Sequence, residues 1–523
     1  MSDAALRQAL QNPALYPEPT TTVEVRETHI SIVFLTDQYA YKIKKPVDLG
    51  FLDFSTLDRR HFSCEQELTL NRRLSTDVYL EVVPLYRDQH HYTFAGNSPV
   101  AEYVLKMRRL PEDCSLPALL QQDLVTAKTM EALAQRLATF HQAHPLPVAS
   151  ERYGSHDQVQ ADWEENFVQT TGSIDHTIAQ QTYAHIRQAV TTFLTQHAAW
   201  FAERQHSGHV RDCHGDLRAE HIYFEPGQIQ IIDCIEFNQR FRYIDVVSEV
   251  AFLAMDLERL GAPELANHFV RAYAQSSEDT SLYRLLDFYR CYRAYVRGKV
   301  TSMRLHQPIP PVQHAPLQRR AETFFALAAR YAARLTRPLL LLTTGLIASG
   351  KSTVAAGVAA ALDLQILRSD AIRKELAGLH PEASGRDAYG AGLYSAASTR
   401  QTYAALADRA RTTLRQGQAV LLDAAFSKRA ERQQMMTLAR EVGADCCLLE
   451  CLAPAEVLRT RLQQREQAST SISDAREDIL APFQRDYEPV QPDEDMCHIR
   501  LETTQPVEQC VLQALAALDA QRP

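Results

Sequence analysis

No stretch of the sequence approaches the roughly 20 apolar residues that a membrane-spanning helix needs, so a membrane partner is not expected. The opening residues, MSDAALRQALQNPALYPEP, begin with an acidic residue and lack the apolar core of a signal peptide. The 10 cysteines show no repeated spacing. A chain of this size needs no disulfide staples, so a reducing cytoplasm is the expected setting. Positive charge is not in excess either. With 55 basic and 64 acidic residues the formal charge is −9, which argues against broad nucleic-acid or anionic-membrane binding. Internal repeats and extended low-complexity segments are absent as well. What remains is ordinary globular material, 45% hydrophobic and 23% charged. At 523 residues it is too long for one core and should divide into two or more domains.

The most informative stretch is Leu339 to Thr353, LLLLTTGLIASGKST. Four leucines and two threonines read as a buried parallel strand. Gly345 then opens GLIASGKS, a full match to G-x-x-x-x-G-K-[ST], and the small residues after it suit a helix. Gly345 and Gly350 let the backbone curl so that successive N–H groups, through Ala348 and Ser349, face an anion. The helix N-terminus, with Thr353 in its first turn, adds positive potential. Lys351 has the reach for the β- and γ-phosphates, and the Ser352 hydroxyl suits Mg²⁺. Strand, loop and helix together predict a nucleoside triphosphate site, with ATP and Mg²⁺ as the ligands.

Beyond the loop, LQILRSD reads as a second strand delivering Ser369 and Asp370 at its C-terminal end, where ligands gather in open α/β sheets. The alternative is that these two residues cap a helix beginning at Ala371. QAVLLDAAF is a third strand, and Asp423 at its end is the natural carboxylate for the metal. CCLLECLAP is a fourth; its cysteines read as packing rather than ligands. On the following helix, Arg461 and Arg465 stand four residues apart on one face. They are either cations that close over the phosphates or a solvated face.

In the first half, residues 21–45 read as β-structure with a hairpin turn at Thr36-Asp37-Gln38, and alternation turns Lys42 inward. HFSCEQELTLNRRL reads as a helix carrying Glu67; MEALAQRLATFHQAH is an amphipathic one. From Cys213 to Asp245 the sequence CHGDLRAEHIYFEPGQIQIIDCIEFNQRFRYID resembles a kinase catalytic hairpin. In that layout Asp216 accepts or orients the substrate hydroxyl, and Asp233 holds Mg²⁺. His206, His209, Cys213 and His214 fit no standard zinc spacing.

The first half is similar to the aminoglycoside phosphotransferase family, which shares the protein-kinase-like fold with choline kinases. That resemblance implies that Lys42 is the strand lysine for the phosphates, Glu67 its helix partner, and Asp245 a structural aspartate that opens the next helix, capping it and tethering the catalytic loop. Two features depart from it. His221 stands where an asparagine metal ligand is usual, and imidazole is a softer partner than Mg²⁺ prefers; no G-x-G-x-x-G precedes Lys42. The second half, through SDAIRKELAGL, GAGLYSAASTRQTYAAL, LLDAAF and the later SDA at 473–475, resembles a compact P-loop kinase family grouped with AAA-family ATPases. That likeness implies Asp370 as general base, Arg373 as a phosphate or substrate contact, and Arg461 and Arg465 as lid residues. The recognition elements of hexameric motors are not found. Together the halves resemble bifunctional chains joining an aminoglycoside phosphotransferase-like domain to an ATP-binding domain.

The expected organisation is therefore a protein-kinase-like domain over 1–316, a helical linker over 317–337 and a P-loop, parallel-sheet α/β domain over 338–523. HQPIPPVQHAP should break the helix before the linker. Two readings of function follow. One is an ATP-dependent phosphotransferase with two modules and a small-molecule hydroxyl as acceptor. The other is a nucleotide-dependent regulatory switch with a pseudokinase first half and an ATP-hydrolysing P-loop domain, a reading that His221 favours.

Overall fold

The computed structural model describes residues 3–50, 52–88, 91–147, 150, 152–307, 309–380, 391–468 and 479–522. It forms two compact units, Met1–Asp162 with Ala199–Phe269 and Trp163–Ala198 with Val270–Pro523. Among the described residues, no helix is long and apolar enough to cross a membrane.

The first unit begins with an antiparallel sheet: β1 (Glu24–Glu27), β2 (Ser31–Leu35), β3 (Tyr39–Lys44), β4 (Tyr79–Asp88), β5 (His91–Thr93) and β6 (Val100–Arg108), in the order β1-β2-β3-β6-β4-β5. The β2–β3 turn falls at residues 36–38 as the sequence predicts, closed by a 2.8 Å bond from the Thr36 N–H to the Tyr39 carbonyl. Lys42 and Lys44 are two apart on β3 and so share one face. The helix Leu57–Asn71 starts ahead of the predicted His61 because Thr56 caps it, its hydroxyl accepting from the Arg59 N–H. Glu67, fully buried, projects from that helix. Four short strands follow over the stretch that resembles a kinase hairpin: β7 (Val210–Asp212), β8 (Ile222–Glu225), β9 (Gln228–Ile231) and β10 (Tyr243–Asp245). β8 pairs with β9 and β7 with β10.

The second unit holds a five-stranded, all-parallel sheet: β11 (Leu339–Thr344), β12 (Gln365–Arg368), β13 (Val420–Asp423), β14 (Asp445–Leu452) and β15 (Cys497–Glu502). The order is β12-β13-β11-β14-β15. All six residues of β11 are buried, as a central strand covered on both faces requires. Leu339 and Leu341 pack toward the helices Lys351–Leu362 and Val507–Gln521. Leu340 and Leu342 pack toward Ala396–Arg415 and Arg429–Val442. Cys447 and Cys451 are buried in packing, as expected, while Cys446 is half-buried.

The proposed linker is not a free-standing element. Its helix starts at Pro311 and runs to Thr336, with Phe324, Phe325, Ala328 and Tyr331 buried. The break expected over 306–316 does separate the helices Leu286–Leu305 and Pro311–Thr336, but residues 311–316 belong to the second of them. A proline at the first helical position loses no bond, and Pro316 interrupts only an exposed early turn. The helix Leu286–Leu305 lies in the same unit as the parallel sheet. There Arg290 makes two bonds to Asp519, at 2.5 and 3.0 Å, both side chains being buried. Arg284 donates to the carbonyls of Ala360 and Ala361, at the end of the helix that follows the phosphate loop.

Candidate active sites

The loop after β11 has the backbone that phosphate binding requires. Gly345 (φ +133°), Ala348 (φ +62°) and Gly350 (φ +91°) all have positive φ. A Cβ at Gly345 would lie 2.3 Å from the Cys451 carbonyl, so only glycine fits there. Lys351 Nζ folds back onto the carbonyls of Gly345 and Leu346, at 3.0 and 2.7 Å. The Ser352 hydroxyl donates to Asp423 Oδ1 at 3.1 Å, bringing the two predicted metal ligands together. Ser349 Oγ is buried without a hydrogen-bond partner, a cost that a bound anion would relieve. These residues fit a nucleotide triphosphate and its Mg²⁺.

Asp370 lies one strand further out than its sequence position implied. β13 stands between β12 and β11, and Arg368 pairs in register with Asp423. The capping alternative does not hold either: the helix Ser369–Leu376 starts at Ser369, and no side chain caps it. Asp370 instead accepts a 2.7 Å bond from Arg373, whose guanidinium lies over the Tyr394 ring. Ser369 Oγ donates to the Asp423 carbonyl at 3.3 Å, linking the two strand ends. Arg461 rests on the phosphate loop itself, donating to the Ala348 carbonyl at 3.3 Å and to the Thr503 carbonyl at 2.5 Å. Thr503, invisible as a motif, also donates to the Ser349 carbonyl at 2.6 Å. Arg465 belongs to the helix Ala455–Ala468, but its side chain and the SDA at 473–475 lie outside the described residues.

In the first unit, Lys42 Nζ lies 2.7 Å from both Glu67 Oε1 and Asp233 Oδ1. Lys44 bonds the other oxygen of Glu67 and also Glu236, while Ser63 donates to Glu236 at 3.1 Å. Burial works against the charge on Lys42, but Asp233 and Glu67 outweigh it and hold its pKa well above the ordinary value. Desolvation likewise opposes charge on Asp233, and the Lys42 ammonium bonded to it overcomes this, holding the carboxyl far below the usual range. Burial wins at Glu236, whose pKa is raised. Asp233 has φ +66° and keeps 46% of its side chain exposed, so its carboxylate is available to a metal. Sequence reasoning missed Lys44 and Glu236; the two-residue spacing on β3 was the available signal for the lysine.

The loop carrying Asp216 is held by Glu249, not by Asp245. Glu249 accepts from the backbone N–H groups of His214 (3.1 Å) and Gly215 (2.6 Å) and pairs with His141 Nε2 at 2.7 Å. Asp245 caps the helix Val246–Arg259 and makes two bonds to Arg204. The grouping of His141, Cys213 and Glu249 resembles a ligand set, but these bonds already commit the carboxylate. Burial would raise the Glu249 pKa; the His141 bond, the imidazole charges and the backbone donors overcome it, leaving about 2 against an ordinary 4.5. A depressed carboxyl stabilises the fold above pH 4.5, and that contribution is lost as pH falls toward 2. The stability difference between wild type and Glu249→Gln, from urea unfolding, should therefore shrink by up to about 3 kcal/mol across that window. A difference independent of pH would contradict the assignment.

His221 and Arg218 complete this site. His221 Nδ1 bonds the Asp216 carbonyl at 2.9 Å, and its Nε2 lies 3.6 Å from Asp233 Oδ2. Arg218 donates to Asp216 through Nε (3.1 Å) and Nη2 (2.8 Å), to Glu220, and to His221 Nε2 at 3.1 Å. Burial and the Arg218 charge push the His221 pKa down, so the ring is neutral at pH 7.

Residues 57–289 match the model of the phosphotransferase enzyme family (APH), and residues 340–490 match that of an AAA domain. Over 496 residues the chain is 32% identical to an uncharacterized protein of Mycobacterium tuberculosis, covering 94% of each chain. An uncharacterized protein of Mycobacterium bovis matches to the same extent. Among solved structures, a choline/ethanolamine kinase family protein from Mesorhizobium loti aligns at 12% identity and a TM-score of 0.38. That alignment covers 63% of this chain and 99% of the other. A sugar kinase from Janibacter aligns at 24% identity and a TM-score of 0.27, covering 35% and 95%.

Proposed function

The chain belongs to the family of these mycobacterial proteins, with a phosphotransferase-family domain ahead of a P-loop AAA domain, and we propose that it is an ATP-dependent phosphotransferase with two nucleotide-binding modules. The acceptor in each is a small-molecule hydroxyl. The observation that carries this reading is that each half presents a lysine and two separate carboxylates, to which we assign the phosphates, the metal and the acceptor proton in turn. Lys42, Asp233 and Asp216 are the first set; Lys351, Asp423 and Asp370 are the second.

In each half the acceptor oxygen attacks the γ-phosphorus while its proton passes to Asp216 or Asp370. The bond to the β,γ-bridging oxygen breaks and its electron pair leaves with ADP. Mg²⁺, held by Asp233 in one half and by Ser352 with Asp423 in the other, would withdraw charge from the phosphate oxygens. Lys42 and Lys351 hold the phosphates, and the neutral His221 stays beside Asp233.

Incubation of the full chain with γ-labelled ATP and a metabolite extract tests the reading. Labelled small molecules should appear with wild type. Lys351→Ala removes the cation nearest the γ-phosphoryl and should cost the second module about 10² to 10³ in rate. Labelling no greater than in a protein-free control would overturn the proposal.

A further inference from the structure

We propose that Arg218 supplies, within the first half, the positive charge for which kinases of this fold use a second divalent cation, so that this half works with one metal ion. The inference rests on the reading of that half as a metal–ATP site. Protein kinases hold two Mg²⁺ ions, one through the aspartate of the second strand and one through the catalytic-loop asparagine. Here the asparagine position is His221, and its geometry settles which nitrogen is free. The Asp216 carbonyl can only accept, so Nδ1 donates to it at 2.9 Å and carries the proton. The lone pair is therefore on Nε2, and it accepts from Arg218 Nη2 at 3.1 Å.

The guanidinium is not a loose side chain reaching across. Arg218 is 8% exposed, and its donors are distributed over both oxygens of Asp216, over Glu220 and over His221. A planar fork held at four acceptors is pre-organised in a way an ammonium could not be. It takes the Nε2 lone pair that His221, 3.6 Å from Asp233 Oδ2, would otherwise offer to a second cation. Asp233 keeps its exposed carboxylate for one metal. The sequence-based assignment of His221 as a metal ligand thus gives way to His221 as the residue that seats Arg218. Fixed beside the catalytic carboxylate, the cation adjoins the place where charge develops on the transferring phosphoryl group.

Counting metal ions tests this without relying on turnover. Full-length protein saturated with a non-hydrolysable ATP analogue is titrated with Mn²⁺, and free Mn²⁺ is read by electron paramagnetic resonance. Asp233→Ala should bind one Mn²⁺ fewer per chain than wild type. Arg218→Ala/His221→Asn, which removes the guanidinium and restores the amide, should bind one more. Added guanidinium ion should expel that extra Mn²⁺ from the double variant. An Arg218 that merely braces the loop would leave the count unchanged on its removal, and this would overturn the proposal. So would a loss of two ions in Asp233→Ala, a comparison that does not depend on the double variant folding. A loss of none would overturn the metal–ATP reading of the first half as well.

Discussion

Asp216→Asn is expected to leave the chain folded and nucleotide affinity intact while transfer by the first half falls by about 10² to 10⁴. The substitution is nearly isosteric, and asparagine keeps one oxygen to accept from Arg218, which now bonds both carboxylate oxygens. The loop would stay in place, because its backbone is held by Glu249 through the N–H groups of His214 and Gly215. What the amide cannot do is take the acceptor's proton. The measurement is label transfer from ATP in a Lys351→Ala background, where the first half dominates, with thermal unfolding as the control. Transfer within a few-fold of the parent would mean that Asp216 serves only to seat Arg218.

Asp370→Asn should lower transfer by the second half by a similar factor of about 10² to 10⁴. Two structural alternatives make weaker demands on this residue. Helix capping is excluded by the geometry, since the helix begins at Ser369 without a side-chain cap. The remaining one is the ion pair with Arg373, three residues on. A carboxylate that served only in that pair would cost stability when replaced and leave the chemical step unchanged. The position favours a base: Asp370 follows β12, and β13 with Asp423 stands between it and the phosphate loop. That leaves the crevice at the carboxyl ends of the strands for an acceptor between metal ligand and base. The expected signature is unchanged ATP affinity with lost transfer, read by nucleotide titration and label incorporation in an Asp216→Asn background. Transfer at the parental rate would show that another group takes the proton.

The hairpin from β2 to β3 and the strand leading into GLIASGKS were legible because each is a local object. A two-residue period, a turn and a run of eight residues carry their own geometry. β15 and β5 were not read. β15 is an edge strand whose residues alternate between buried and exposed, and β5 has only three residues. The proline-rich break was legible, but the helix after it starts at Pro311 rather than Leu317, because Pro311 occupies the one position where proline costs nothing.

By itself the sequence picked out the two stretches that carry the candidate sites: a glycine loop opening at Gly345 and a kinase-like hairpin opening at His214. In both, the functional groups are close along the chain, so spacing alone brings them together. Only the tertiary structure decided which groups surround them. Lys44 meets Glu236 across 192 positions, Glu249 reaches back 34 and 35 positions to hold the catalytic loop, and Thr503 braces a loop 154 residues away. It also decided that β13 separates Asp370 from the phosphate loop, and that Arg218 lies 3.1 Å from His221 Nε2. Such contacts depend on strand order and on which buried charges find partners, and both are settled by packing the whole chain against the cost of leaving a charge unpaired.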